Sequence, residues 1–543
     1  MSLIKIRGVN PFAGQSDPYI TLDTSVSYDD GPQGVITNSY SLQGTLTGCS
    51  VTELTNRRDA LVNSFDWKND TGIIENIEIV GVVAASPTAQ IIPTNLSFDA
   101  SNYIGALPYS ISLDVFTGFG DEDDAYFGSW TLSHEIPNNY KKDILNSEYI
   151  WFSHGHPDHL NPHSMKRLEG KNLLLPDHVG SRIYDDLCKK DFNIKILPDR
   201  KWVDLNKNIQ LMCITTILQD SILLMAIGKK LFINLNDAGT RGCTRFIKKE
   251  AKKFLDVYLL SLSGYGDADM INCYDEKGNF IIPPAKNNTL VGEQLSLTAK
   301  SVNANHVIPF SSHHQYQRSD SIWAQEYVTP IHAYSIGLHE DINFIPPFTE
   351  IDCNSGCFKE IQPNKIKPYI FQPEEFEDNW SDELTVEDFQ AVKRYFIEKE
   401  VIYKRFGFIN FIVGKRHHSI ILNKSLSKRG IQFEVPRSSL MKAVNYEIFD
   451  DLLVGNFMRT TFFGLHSLYD YDFAPLLTKY ADNGKAKTEE EVSKYINEYK
   501  KRVGRQFIFE TFLDKSANIL NRFLTNRESR ARRLIKSIYY KIK

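Results

Sequence analysis

The chain has 543 residues, 42% of them hydrophobic and 24% charged, with a formal net charge of -5. That length allows roughly three domains with sizeable cores, and the composition is that of an ordinary globular protein. The near-neutral charge argues against a nucleic-acid-binding protein overall, and seven scattered cysteines, an odd number, suit a reducing cytosol better than a disulfide framework.

The N-terminal MSLIKIRGVN has no apolar core of signal-peptide length. Residues 1–105 are rich in Thr, Ser, Gly, Ile and Val. Short alternating runs such as IENIEIVGVVA predict a β-rich module with one short helix, VTELTNRRDALVNSF, and no catalytic cluster. Between 106 and 345, apolar runs (YIWFSH, NLLLP, IKILP, KLFINLND, DVYLLSLSG, HVIPFSS) alternate with amphipathic segments. This predicts buried strands interleaved with helices in an α/β layered core. The most apolar stretch, IQLMCITTILQDSILLMAI, is interrupted by Gln219 and Asp220. It reads as two buried strands rather than a membrane span, so a soluble, cytoplasmic protein is expected.

Residues 346–375, rich in Pro and Ile, read as a connecting segment, with Cys353 and Cys357 in a surface loop. An α+β accessory domain is expected over 346–482. In it, TVEDFQAVKRYFIEKE predicts a helix with a Thr N-cap and an acidic first turn. FGFINFIVG and HHSIILN predict strands, with His417 and His418 on a strand edge. Asp450, Asp451 and Arg459 in FDDLLVGNFMRTT read as structural residues that cap and flank a helix end. Residues 483–543 are expected to form a basic helical tail. From Lys500 onward it carries thirteen Lys/Arg against three acids. Its end, ESRARRLIKSIYYKIK, alternates basic with apolar residues. An amphipathic helix docking on an anionic surface, nucleic acid or acidic partner is one reading; a solvated terminal helix packed on its domain is the other.

The densest chemistry lies in WFSHGHPDHL, Trp151–Leu160. YIWF predicts a buried strand, and sites in layered α/β folds collect at strand ends. His154, His156, Asp158 and His159 follow on one tight loop, and NPHSMKRL is expected to begin the next helix with Asn161 as N-cap. Imidazole and carboxylate suit zinc and iron. Alternate positions on an extended stretch share a face, so His154 and His156 can chelate one ion. Asp158 and His159 then point to a neighbour, and two ions about 3.5–4 Å apart form a clamp that activates water.

His-x-His-x-Asp-His after a strand resembles the metallo-β-lactamase fold superfamily. The resemblance implies an α/β fold, the αββα sandwich of that family, over 106–345, two divalent metal ions, zinc or iron, and further ligands at later strand ends. Asp237, closing KKLFINLNDAG, resembles the family's bridging aspartate. The family usually has a histidine between these motifs. ITTILQDSILLMAI has none, so either Asp220 substitutes or one metal site is weakened or lost. The last ligand is usually a histidine after a late strand, and NHVIPFSSHHQY offers His313 or His314; His306 precedes the strand and reads as surface. His178 in LLLPDHV also follows a strand and is a candidate pocket residue. The resemblance makes Asp158 the ligand that orients the water.

Several ordered segments also resemble the metallo-β-lactamase-like part of the CMP-N-acetylneuraminate hydroxylases. They are FGSWTLSHEIP, YIWFSHGHPDHLNPHSMKRL, LQDSILL with FINLNDAG, LSLSGYGDADM, VIPFSSHH and DDLLVGNFMRTT, spread with gaps from Ser112 to Asp482. Those hydroxylases carry a Rieske cluster, which needs two Cys and two His. Before His134 this chain has only Cys49 and no histidine, so it cannot build one there. SLDVF keeps Asp114 but lacks the family's following Pro-Trp. GTLTGCSVTEL, LVNSF and LSFDASNYIGALPYSISLDVF resemble phage tail or baseplate modules.

Three functions are therefore expected to compete. The first is a metal-dependent hydrolase acting on a small anionic, sugar-nucleotide-related substrate. The second is a non-haem iron oxygenase needing a separate reductase. The third is a phage-type assembly protein whose metal site is not catalytic.

Overall fold

The computed structural model describes residues 125–504, apart from short gaps, together with short strands at Lys5–Ile6, Tyr28–Asp29, Ser39–Tyr40 and Tyr109–Leu113. The β-rich module expected over 1–105 falls almost wholly outside the described residues, as does the tail beyond 504. The chain divides into two units, residues 1–5 with 110–543, and residues 6–109. The first unit contains the histidine loop.

The apolar runs become strands because each is short, rich in β-branched residues and bounded by turn residues. Strands β1 (Tyr109–Leu113), β3 (Tyr149–Trp151), β4 (Asn172–Pro176) and β5 (Asn193–Leu197) pair in parallel, after a short β2 (Trp130–Leu132). A second sheet runs from β6 (Val203–Asp204) through β7 (Ile209–Thr215), β8 (Ser221–Ile227), β9 (Lys230–Asn236), β10 (Asp256–Leu262) and β12 (His306–Phe310) to an edge strand, Asn343–Phe344. Its β6–β9 part is antiparallel and its β9–β12 part parallel.

β7 and β8 are the two strands expected from the most apolar stretch. They form a hairpin, and every residue of β8 is buried, as a strand covered on both faces requires. Helices α2 (Thr244–Ala251) and α3 (Val291–Val302) cover one face, where Ile247, Leu295 and Ala299 meet Ile214, Leu224 and Ile233. Under the first sheet, Ile150, Leu173 and Leu175 pack on Met165, Leu168 and Leu187 of a 3-10 turn (Ser164–Leu168) and helix α1 (Arg182–Cys188). Cys213 of β7 lies by Trp151 of β3, and burial pushes its thiol up to about 12. The architecture is thus mixed α/β with helices outside two strand layers. The helix expected to begin at NPHSMKRL is only that 3-10 turn, and Asn161 lies outside the described residues.

A third sheet is built from β17 (Phe408–Val413), β18 (Arg416–Ile421), β19 (Gly430–Glu434) and β20 (Arg459–Phe463). It is numbered after β13 (His314–Tyr316), β14 (the edge strand Asn343–Phe344) and the hairpin β15 (Thr349–Ile351) and β16 (Phe358–Glu360). Cys353 is buried and Cys357 exposed in that hairpin's turn. β11 (Cys273–Tyr274), from before residue 345, pairs with β20 and so joins this sheet to the metal-loop half. Alternate residues of β17 are buried, the period of a strand with one face in a core. β18 is the opposite edge, which exposes His417 as expected.

The helix expected in TVEDFQAVKRYFIEKE is α4 (Val386–Ile397). Thr385 Oγ accepts from the Asp388 amide at 3.1 Å while Asp388 accepts from the Thr385 amide at 2.9 Å. A second capping box, Thr488 with Glu491, starts the helix Glu489–Val503. Among the described residues no helix is long and apolar enough to cross a membrane.

Arg318 locks the two halves together. It is fully buried, donates to the Phe127 carbonyl at 2.9 Å, pairs with Asp378 at 2.8 Å and lies 3.8 Å over the Phe457 ring. Removing one member of such a pair leaves a buried charge without its counter-ion. Arg318→Ala is expected to lower unfolding stability by about 3–5 kcal/mol. Arg416→Ala, at an exposed pair with Glu383, is expected to cost under about 1 kcal/mol. Denaturant titrations of the two variants check the contrast.

Candidate metal centre

β3 delivers the loop. Trp151, Phe152 and Ser153 are buried, and the chain emerges at His154, which is itself only 2% exposed. The Ser153 carbonyl is held from two sides, by the Ser221 hydroxyl at 2.7 Å and His178 Nε2 at 3.3 Å. The His159 and Leu160 amides both donate to the His156 carbonyl, at 2.9 and 2.8 Å, which closes a tight turn. That turn brings three imidazoles together. Ring centroids of His154 lie 4.4 Å from His156 and 4.2 Å from His159.

The ring nitrogens form a directed chain. Ser153 Oγ lies 2.9 Å from His154 Nδ1, His154 Nε2 lies 2.8 Å from His156 Nδ1, and His156 Nε2 lies 2.6 Å from Asp450 Oδ2. One assignment satisfies all three contacts with neutral rings. Ser153 donates to His154, His154 donates through Nε2 to His156, and His156 donates through Nε2 to the carboxylate. Lys479 Nζ sits 2.7 Å from the same Asp450 oxygen and 3.3 Å from His156 Nε2.

Asp237 comes from the end of β9. Asn236 has φ of 39°, a left-handed conformation that asparagine tolerates. Its side-chain oxygen accepts from the Asp237 amide at 2.6 Å, and its amide nitrogen donates to the Ser221 carbonyl at 2.9 Å. So the neighbouring strand β8 fixes the turn that presents Asp237, whose Oδ2 lies 3.1 Å from His159 Nε2. One donor atom each from His154, His156 and Asp237 lies within 4.8 Å of the others.

Burial, reinforced by His159 and His156, holds the His154 pKa well below its ordinary value, so the ring is neutral. Burial pulls His156 down and Lys479 adds to this, but the Asp450 hydrogen bond and charge raise it on balance. Burial also pushes the Asp450 carboxyl up, yet Lys479 and His156 overcome it and hold the group well below the carboxylate range. Lys479 is held above its ordinary value because Asp450 and Asp220 outweigh its burial. His178 is pushed down to about 4 by burial.

The structure thus brings His154, His156, His159 and Asp237 together. Asp220, on the β7–β8 turn, reaches His154 from the other ring nitrogen, with Oδ1 3.9 Å from Nδ1. Burial raises its pKa. Asp158 lies outside the described residues. His313 is buried against Phe348 and Tyr334, at ring distances of 5.0 and 5.9 Å. His314 pairs with Leu132 and lies beside Trp130 and Tyr316. Neither belongs to the group of converging donor atoms found among the described residues. His306 stacks on Tyr258 at 4.4 Å.

Two contributors escape a reading of the sequence. The pattern around Asp450 points to capping or flanking a helix end. The residue does lie in the first turn of the short helix Phe449–Val454, but no side chain caps that helix, and its carboxylate points to His156. Lys479 rides on a π-helix, Pro475–Asn483, a geometry that often marks functional sites. No motif in the linear sequence announces it.

No family model matches the chain. Over 94 residues it is 30% identical to the cytidine monophosphate-N-acetylneuraminic acid hydroxylase of Pongo pygmaeus, a match covering 16% of each chain. The Xenopus laevis hydroxylase is 29% identical over 94 residues, again 16% of each. The chain therefore spans 16% of the length of these curated relatives. Solved structures similar to it include a metallo-β-lactamase fold protein. YhfI from Bacillus subtilis is 13% identical, with TM-score 0.22, over 37% of this chain and 73% of that one. A diphosphatase of the PhnP family is 10% identical, with TM-score 0.23, over 55% and 97%. CmlA, a diiron β-hydroxylase from Streptomyces venezuelae, is 11% identical, with TM-score 0.22, over 30% and 35%.

The donor set fits divalent metal. Neutral imidazoles and ionised carboxylates are the forms that bind cations. Here His154, which is buried, converges with the half-buried His156 and the more exposed Asp237, with Ser153 and Asn236 fixing ring and carboxylate orientation. The His154→Ala/His156→Ala double variant is expected to lose bound zinc or iron while keeping its fold. Elemental analysis beside circular dichroism checks this, and wild-type metal content in the variant would refute the assignment.

Proposed function

We propose that the chain is a metal-dependent hydrolase acting on a small anionic substrate. The observation that carries this reading is the convergence of His154, His156, His159 and Asp237 at the ends of neighbouring strands. His154, His156, His159 and Asp237 would hold the ions, with Asp220 beside His154 and Asp158 as the further ligand that the sequence motif implies. Divalent ions bound there lower the pKa of a water to about 7 and polarise a phosphoryl or acyl oxygen.

The chain's own residues supply the rest. Burial keeps His154 neutral and available as a ligand. Asn236 and Ser221 fix the direction of Asp237. Asp158, between two of the histidines in sequence, is the residue we assign to orienting the water. Lys479 supplies positive charge for a substrate anion. The aligned relatives are named for a cytidine monophosphate-linked sugar, so sugar nucleotides head the candidate substrates.

A second reading, an iron oxygenase supplied by a separate reductase, is favoured by one observation. Asp220 stands beside His154 in the stretch where a histidine is expected from the resemblance, and carboxylate-rich sites lean towards iron.

The test is a screen of the zinc-loaded and iron-loaded protein with sugar nucleotides, phosphate diesters, thioesters and lactones. Oxygen uptake is followed in parallel with added reductant. Hydrolysis without oxygen uptake is expected, reduced by about 10²–10⁴-fold in Asp158→Asn. Oxygen consumption coupled to hydroxylated product would replace this reading with the second.

A further inference from the structure

We infer that Asp450 is a positioning residue for His156: it fixes the ring's proton on Nε2 and so leaves Nδ1 as the nitrogen that faces the converging donors. This rests on reading the site as a metal centre. Asp450 acts only through the ring and is not a ligand.

The two ring nitrogens face opposite ways. His156 Nδ1 lies 2.8 Å from His154 Nε2, on the side of the cluster, and Nε2 lies 2.6 Å from Asp450 Oδ2, on the far side. An ionised carboxylate can only accept, and a neutral imidazole has one N–H. The proton therefore sits on Nε2 as long as Asp450 is there, and the Nδ1 lone pair stays on the side of His154. A carboxylate that accepts from the outer N–H of a liganding histidine fixes its tautomer and its ring orientation in this way.

Lys479 makes that carboxylate decisive. Its ammonium lies 3.3 Å from the same Nε2, and an ammonium can only donate. Alone, it would engage the Nε2 lone pair and leave the proton on Nδ1, where it would block a cation. Asp450 opposes this twice: its oxygen is nearer to Nε2, and it holds the ammonium at 2.7 Å. All three side chains are 16% exposed, so little water competes with these contacts. Both partners ride on anchored elements. Phe449 and Leu452 fix the Asp450 helix in the core. Asp482, on the Lys479 helix, is buried 3.3 Å from Lys399 and accepts from the Tyr395 hydroxyl at 2.6 Å. The C-terminal part of the chain thus sets the tautomer of a histidine 294 positions earlier.

The test uses the full chain, first without metal and then with cobalt(II) as probe. Nitrogen-15 NMR of histidine-labelled protein, in alkaline buffer where the ring is neutral, reads which nitrogen carries the proton, and His156→Gln identifies the signals. Wild type and Lys479→Met are expected to show Nε2–H. Asp450→Ala is expected to show Nδ1–H and to bind cobalt about 10–100-fold more weakly in equilibrium dialysis. The visible spectrum of its bound cobalt is expected to be unchanged, because the ligands are the same.

If Asp450→Ala fails to fold, Asp450→Ala/Lys479→Met, which removes both charges, takes its place. It is expected to show both tautomers and to bind cobalt about 10–100-fold more weakly than Lys479→Met. An Asp450→Ala chain that keeps Nε2–H, or whose cobalt spectrum changes, would overturn the inference. So would a double variant that binds as tightly as Lys479→Met, since Asp450 would then be only a counter-ion for the ammonium. A wild-type chain that binds no cobalt would overturn the metal reading instead, and the metal-free tautomers tell that result apart from the others.

Discussion

Everything at this site depends on burying imidazoles and carboxylates side by side. An ionised carboxylate taken out of water is costly unless it is paired. Here Asp237 finds His159, and Asp450 finds both His156 and the ammonium of Lys479. The histidines answer the same constraint in another way. His154 stays neutral and passes hydrogen bonds along the chain from Ser153 to Asp450. Remove the pairing and the strand ends that meet here would face one another with unbalanced charge.

The C-terminal part of the chain is therefore more than an attachment. Its sheet takes in β11 from the metal-loop half, and its core reaches Phe127. Arg318 crosses the same boundary with a buried ion pair and an aromatic contact. These links hold Asp450 and Lys479 at a fixed distance from a loop far earlier in the chain. A site assembled from both halves can be pre-organised only if the interface between them is rigid, and buried, fully paired contacts make it so.

The local signals in the sequence are strong where they rest on short-range physics. The apolar runs at 209–215, 221–227, 230–236 and 256–262 become buried strands because apolar residues dominate each over one strand length. Thr385 and Thr488 start helices because their side chains satisfy amides within three residues. The histidine loop is legible for a similar reason, since histidines and an aspartate within six positions can meet on one turn. The helix expected after that loop shrinks to a 3-10 turn, and the connecting segment at 346–375 contains a hairpin. Those boundaries depend on packing that a local pattern does not encode.

The sequence by itself determined the layered α/β character, the strand that ends at His154 and the clustering of His154, His156 and His159. Each is written in residues close together or in a run with a clear period. Asp237 is singled out only through the resemblance to the metallo-β-lactamase fold. Only the tertiary structure decided which distant side chains complete the site. It set Asp220 against the far nitrogen of His154, packed His313 and His314 among aromatic rings, and brought Asp450 and Lys479 to His156. The reason is physical: a carboxylate or an ammonium carries no sign of its partner until folding brings the partner within a few ångströms, and chain separation does not limit that contact.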